Sequence, residues 1–202
     1  MERRSFLRLG ASAAAAAATS RVAWGQNPHQ NLINYRGLTN GQYTGLVQFK
    51  PISNPGMWLG DGNSEASFPL TTSMTKWNMK RGGGTYNYHN NPRSLSGYWI
   101  YGSTAHPLIC WQAQDFGGSI LKHWDWDHRA DHGTPEDCEL FTVEAVDQTA
   151  QTVIIYNTAY APWLTDIGAF NGNPPCYINL NGNNFLCNAT KANAVVLQVV
   201  FG

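Results

Sequence analysis

The chain reads as an all-β protein with a single domain, and three observations carry that reading. Beyond Gln26, no segment of twelve or more residues sustains apolar positions at helical spacing. Short runs rich in Val, Ile, Thr, Tyr, Phe and Trp recur instead, separated by clusters of Gly, Asn and Pro. The 20 glycines supply the positive-φ turn positions such a chain needs. With 202 residues, 43% of them hydrophobic and 13% charged, the chain has apolar content for one packed core and a composition unlike that of disordered proteins.

The first stretch, "MERRSFLRLGASAAAAAATSRVAWGQ", has a basic start, a mildly apolar Ala-rich run and small residues near its end. That is the anatomy of a signal peptide over residues 1–25, with cleavage expected after Ala23-Trp24-Gly25. "RRSFLR" resembles the bacterial twin-arginine export motif, with Glu2 where Ser or Thr is usual and Arg8 where Lys is usual. The resemblance implies export to the periplasm or beyond, by a route that carries proteins already folded and often loaded with a cofactor. The run is too short and too weakly apolar for a transmembrane helix, and no later run approaches the roughly 18 apolar residues a span requires.

Residues 26–40 form an N-terminal extension, and 41–202 the all-β domain. Three units of about 41–82, 83–147 and 148–202 share a weak common pattern. The first holds "GLVQFKPISNPGMWLGDG", "SFPLTTS" and "TKWNMKR"; the second "TYNYHNNPRSLSGYWIYGS", "HPLICWQAQ" and "ELFTVEAV"; the third "TVIIYNTAYAPWLTDIG", "CYINLNG" and "AVVLQVVFG". Each contains Trp followed by an aliphatic (Trp58-Leu59, Trp99-Ile100, Trp163-Leu164), and these tryptophans are read as core. Each closes on a strand expected to carry a large apolar residue at its centre: Trp77, Phe141 and Leu197. The glycine-rich "RGGGTY" is read as a linker between the first two units.

This order resembles the β-trefoil, a barrel of three pseudo-repeats capped by hairpins, in its fascin-like or other divergent forms within the wider superfamily of ricin-B-like trefoils. The Gln-x-Trp signature of ricin-type lectins is missing, and "CWQAQ" does not supply it. Closing three units into a barrel removes the unpaired strand edges each would expose alone. A β-sandwich or jelly roll is the alternative that short alternating strands also allow.

Without residues 1–25, which hold four of the 13 basic residues and one of the 13 acids, nine basic and twelve acidic residues remain, a net charge of about −3. No Lys/Arg cluster survives, and this argues against nucleic acid as a partner. The middle unit is the longest. Its excess, 115–137, contains "KHWDWDHRADH" and is read as an inserted loop, the place where function is added to a scaffold without disturbing its core. Four cysteines suit an oxidising compartment and lack CxxC spacing, so a zinc ribbon is disfavoured. The preferred pairings are Cys110–Cys138, across the base of the insertion, and Cys176–Cys187.

The inserted segment offers two chemistries. Trp124 and Trp126 alternate with Asp125 and Asp127, ahead of His128; in an extended backbone the rings fall on one side and the carboxylates on the other. Rings for flat sugar C–H faces beside carboxylates for hydroxyls are what a carbohydrate site requires. His123, Asp127, His128 and His132 are also donors that a transition metal accepts, although no HExxH or calcium-loop spacing is present. No GxSxG, phosphate loop or dinucleotide fingerprint occurs, and adjacent acids such as Glu136 and Asp137 do not make a glycosidase pair by themselves. The expectation is an exported non-catalytic module that binds carbohydrate or another cell-envelope ligand, with no required cofactor. The alternatives are a metal-dependent enzyme built on 123–132 and a protein-binding adhesive module.

Overall fold

The computed structural model describes residues 27–60, 68–88, 91–102, 109–113, 121–125, 140–158 and 176–202. Among these lie a helix, α1 (Pro28–Thr39), and twelve strands: β1 (Gly45–Pro51), β2 (Trp58–Leu59), β3 (Phe68–Thr71), β4 (Trp77–Tyr88), β5 (Asn91–Gly102), β6 (Ile109–Ala113), β7 (Leu121–Asp125), β8 (Phe141–Asp147), β9 (Thr152–Asn157), β10 (Tyr177–Asn181), β11 (Asn184–Ala189) and β12 (Leu197–Phe201). The protein is therefore mostly β.

Six strands close a ring. Going around it, β1 pairs with β4, β4 with β5, β5 with β8, β8 with β9, β9 with β12, and β12 with β1, always antiparallel. The other six strands form the hairpins β2–β3, β6–β7 and β10–β11. Two hairpins join where Phe185 of β11 pairs with Phe68 of β3. Each hairpin falls in the chain between two barrel strands. Closure satisfies the backbone groups that an open six-stranded sheet would leave at its edges.

Four buried positions recur in three strand pairs. Trp77, Phe141 and Leu197 each open their strand, and each pairs on one side with Val47, Tyr98 or Val153 and on the other with Gly102, Asn157 or Pro51, the last residue of β5, β9 or β1. Two residues further on, Met79 pairs with Ile100, Val143 with Ile155 and Val199 with Phe49. A spacing of two returns a strand to the same face. All twelve side chains at the 47, 49, 77 and 79 positions and their counterparts are at most 2% exposed. They fill the barrel.

The helix was not expected. Its start is set by Asn27, whose side chain accepts a hydrogen bond from the His29 N–H at 3.0 Å, and by Pro28 in its first turn. It stops at Asn40 and Gly41, the latter at φ +71°. Tyr35 and Leu38, one turn apart, are buried. The Tyr35 hydroxyl donates to the Thr152 carbonyl at 2.6 Å, and the Tyr98 hydroxyl donates to the carbonyls of Leu38 (3.0 Å) and Gly37 (3.2 Å) while accepting from the Tyr43 N–H (3.0 Å). The N-terminal extension is thus a helical cap on one end of the barrel.

Two further expectations are corrected. "RGGGTY" is no linker: it runs inside β4, in unbroken register with β5 from Trp77↔Gly102 to Tyr88↔Asn91. A Cβ at Gly82 would lie 2.5 Å from the Trp99 ring, so glycine there lets that ring lie against the strand. The Trp–aliphatic pairs are not equivalent, because Trp58-Leu59 forms a hairpin strand whereas Trp99-Ile100 lies in a barrel strand. Neither Trp58 nor Trp99 is core; both are half-buried, whereas Trp77 is fully buried. Trp163 lies outside the described residues. Cys176 and Cys187 stand as free buried thiols among the described residues. Cys187 stands opposite Ile178 and Cys176 precedes β10, so the two are not cross-strand partners, and the Cys187 thiol donates instead to the Cys176 carbonyl at 3.1 Å.

Candidate functional site

Part of the segment read as an inserted loop is regular structure. Residues 121–125 are β7, the second strand of a hairpin, with His123 opposite Trp111, Trp124 opposite Cys110 and Asp125 opposite Ile109. The strand therefore extends through "HWD". Trp126, Asp127, His128, His132 and Cys138 lie outside the described residues. Among the described residues, no group of three His, Cys, Asp or Glu converges as a metal shell would require. The two described thiols are poor ligands and nucleophiles: burial pushes Cys176 up to about 12 and Cys187 higher still, keeping both protonated at neutral pH.

Two other places combine the chemistry a ligand needs, and neither depends on that segment. The first is a notch on the outer face where β9 meets β10. Tyr177, the first residue of β10, pairs in register with Tyr156 of β9, and their rings lie 4.9 Å apart at 42°. Both are half-buried. Glu144 of β8 shares the outer face with Thr142, which stands opposite Tyr156. Its carboxylate is paired with Lys191 of the short 3₁₀ turn 191–193. Burial, then the Glu144 charge, hold the Tyr177 phenol up at about 12, so it stays a neutral donor. An aromatic surface thus stands beside a carboxylate, an ammonium and a phenol.

A corresponding place exists between β1 and β2. Lys50 follows core residue Phe49 as Tyr156 follows Ile155, and Trp58 opens β2 as Tyr177 opens β10. Here the Lys50 ammonium sits 5.5 Å from the Trp58 ring centre. Neither notch is legible from local sequence, because Tyr156 and Tyr177 are brought together only by strand register.

The second place is a cleft of about 280 Å³ between the C-terminal turn of α1 and the barrel rim. Leu38, Thr39, Asn40, Gly41 and Gln42 form one wall; Arg81, Gly82, Ser96, Gly97 and Tyr98 form the other, with Thr142 and Val143 at the side. Burial, the largest cause, pushes the Tyr98 phenol up to about 12. Comparison with protein families and with curated proteins finds no match to this chain.

Proposed function

We propose that the domain is a β-trefoil and that it serves as an exported, non-catalytic module binding carbohydrate of the cell envelope. The trefoil reading is supported by the fourfold set of buried positions that recurs in three strand pairs, each pair separated in the chain by one hairpin. The export reading rests on the leader alone, with its Arg3-Arg4 pair and Ala-rich run.

One observation carries the binding reading: the half-buried Tyr156–Tyr177 pair flanked by the Glu144–Lys191 ion pair. Sugar rings stack their C–H faces on aromatic surfaces and place hydroxyls against carboxylates and phenols. A glycan array probed with the full chain is expected to return a selective set of hits. Tyr177→Ala should weaken them by about tenfold or more, the loss of one stacking anchor. Trp124→Ala tests whether the β6–β7 hairpin takes part in the same recognition. A blank array would sink the carbohydrate reading and leave a protein-binding role for the same aromatic surface.

A further inference from the structure

We propose that the cleft beside Arg81 binds a small polyhydroxylated carboxylate, of the size and chemistry of a single uronate ring. The inference is independent of the aromatic notch and concerns the opposite kind of surface, polar and positively charged.

It begins with the row of side chains just beyond the barrel core. Two residues after Met79, Val143 and Val199 come Arg81, Ala145 and Phe201. The three positions correspond in strand register, yet one is a cation, one small and one aromatic. Phe201 is covered by Tyr43, ring centres 5.2 Å apart, and Tyr35 fixes α1 over Thr152, beside the β8–β9 end that carries Ala145. The cap is therefore off-centre. The Arg81 sector is left as the open cleft.

Among the described residues, Arg81 meets the Tyr98 phenol electrostatically and no carboxylate. It is exposed, and the structure gives it no ion-pair partner among the described residues. A cation beside a helix C-terminus commonly serves the last carbonyls, but three of them are already taken. Arg36 O accepts from Asn40 N–H, Gly37 O from Gln42 and Tyr43 N–H, and Leu38 O from Gly41 N–H and the Tyr98 hydroxyl. Among the described residues, the cleft lining contains no carboxylate to compete for the charge. Around it stand the Ser96 hydroxyl and the amides of Asn40 and Gln42, groups that both donate and accept, and the Thr39 hydroxyl, which gives its proton to the Tyr35 carbonyl at 3.1 Å and so offers a ligand only its lone pairs. A guanidinium binds a carboxylate through two parallel hydrogen bonds, and the hydroxyl and amide groups suit a polyol attached to it. The volume of about 280 Å³ lies just under the roughly 300–1,000 Å³ of drug-sized ligand pockets, which fits one ring.

The test is a ¹⁵N-NMR titration of the full chain with glucuronate, with glucose and inorganic phosphate at matched ionic strength as the other arms. Glucuronate is expected to move the amides of Gly41, Gln42, Gly82 and Ser96, with glucose and phosphate at least about tenfold weaker. Arg81→Gln should weaken glucuronate by about tenfold or more while leaving the melting temperature nearly unchanged, as for other exposed substitutions. Arg81→Lys, which keeps charge but loses the fork, should fall between the two. Tyr177→Ala should leave the titration unaltered. No response to glucuronate, an undiminished response in Arg81→Gln, or an equal response to glucose or phosphate would overturn the proposal.

Discussion

The two ends of the barrel are sealed by different physics. At the hairpin end, Leu59, Phe68, Trp77 and Phe185 are fully buried, with the Phe68 and Trp77 rings edge to face at 5.0 Å and the Trp77 indole N–H donating to the Leu59 carbonyl at 3.2 Å, so apolar contact dominates there. At the helix end, the seal is made by tyrosines whose hydroxyls reach backbone groups: Tyr35 to Thr152, Tyr98 to Leu38, Gly37 and Tyr43, and Tyr43 to Leu46 at 3.0 Å. Apolar contact is non-directional and grows with area, whereas a hydroxyl-to-carbonyl bond fixes position and contributes little net energy. One end therefore holds the fold together. The other holds α1 in place and leaves room beside it.

That contrast can be broken most forcefully at Trp77. Trp77→Ala is expected to cost about 3–5 kcal/mol in chemical denaturation, because it empties a fully buried site and strands the Phe68 ring. A loss below about 1 kcal/mol would mean the hairpin end is not the anchor. Tyr98→Phe keeps the ring and removes only the hydroxyl, so the expected cost is about 1–2 kcal/mol, with faster amide exchange at Tyr43 as the local sign. Trp58→Ala, at a half-buried notch, should cost less than either.

The ends should also differ in alkaline solution. Tyr98 has its pKa raised from 10.0 to about 12 by burial, so the folded state holds a proton that the unfolded chain releases earlier. Its contribution is complete below pH 10 and is lost as pH climbs toward 12. Urea midpoints measured across that window should fall, and Tyr98→Phe should flatten the slope. Part of the fall will remain, because Cys176, whose reference value is 9.0, is likewise held up at about 12. The smallest effect is expected for Lys191→Ala. Its pair with Glu144 is largely exposed, at 55% and 34%, and should change stability by no more than about 1 kcal/mol.

The strands were legible because their evidence is local: runs such as "GLVQFK", "TVIIYN" and "LQVVF" are rich in strand-forming residues. Trp77, Phe141 and Leu197 were found the same way. The helix was not, because its inward side is Leu32, Tyr35 and Leu38, of which Leu32 is only half-buried, among Asn31, Asn34 and Thr39, too thin an apolar stripe for periodicity. Its signals lay in the flanks, Asn27-Pro28 before it and Gly41 after it. Equating Trp99 with Trp58 failed because a dipeptide does not report register, and a shift along the strand moves a side chain to the other face. Tyr156 and Tyr177 were invisible as a pair for the same reason: 20 residues separate them, and only the β9–β10 pairing makes them neighbours.

The seam between β1 and β12 has a temporal meaning. Val47 lies against Phe201, more than 150 positions downstream, so the ring stays open until nearly all of this sequence has been synthesised and has cleared the ribosome. Until then the edge of β1 that faces β12 keeps its backbone donors and acceptors unclaimed, its other edge being taken by β4, and long-range closures of this kind are slow.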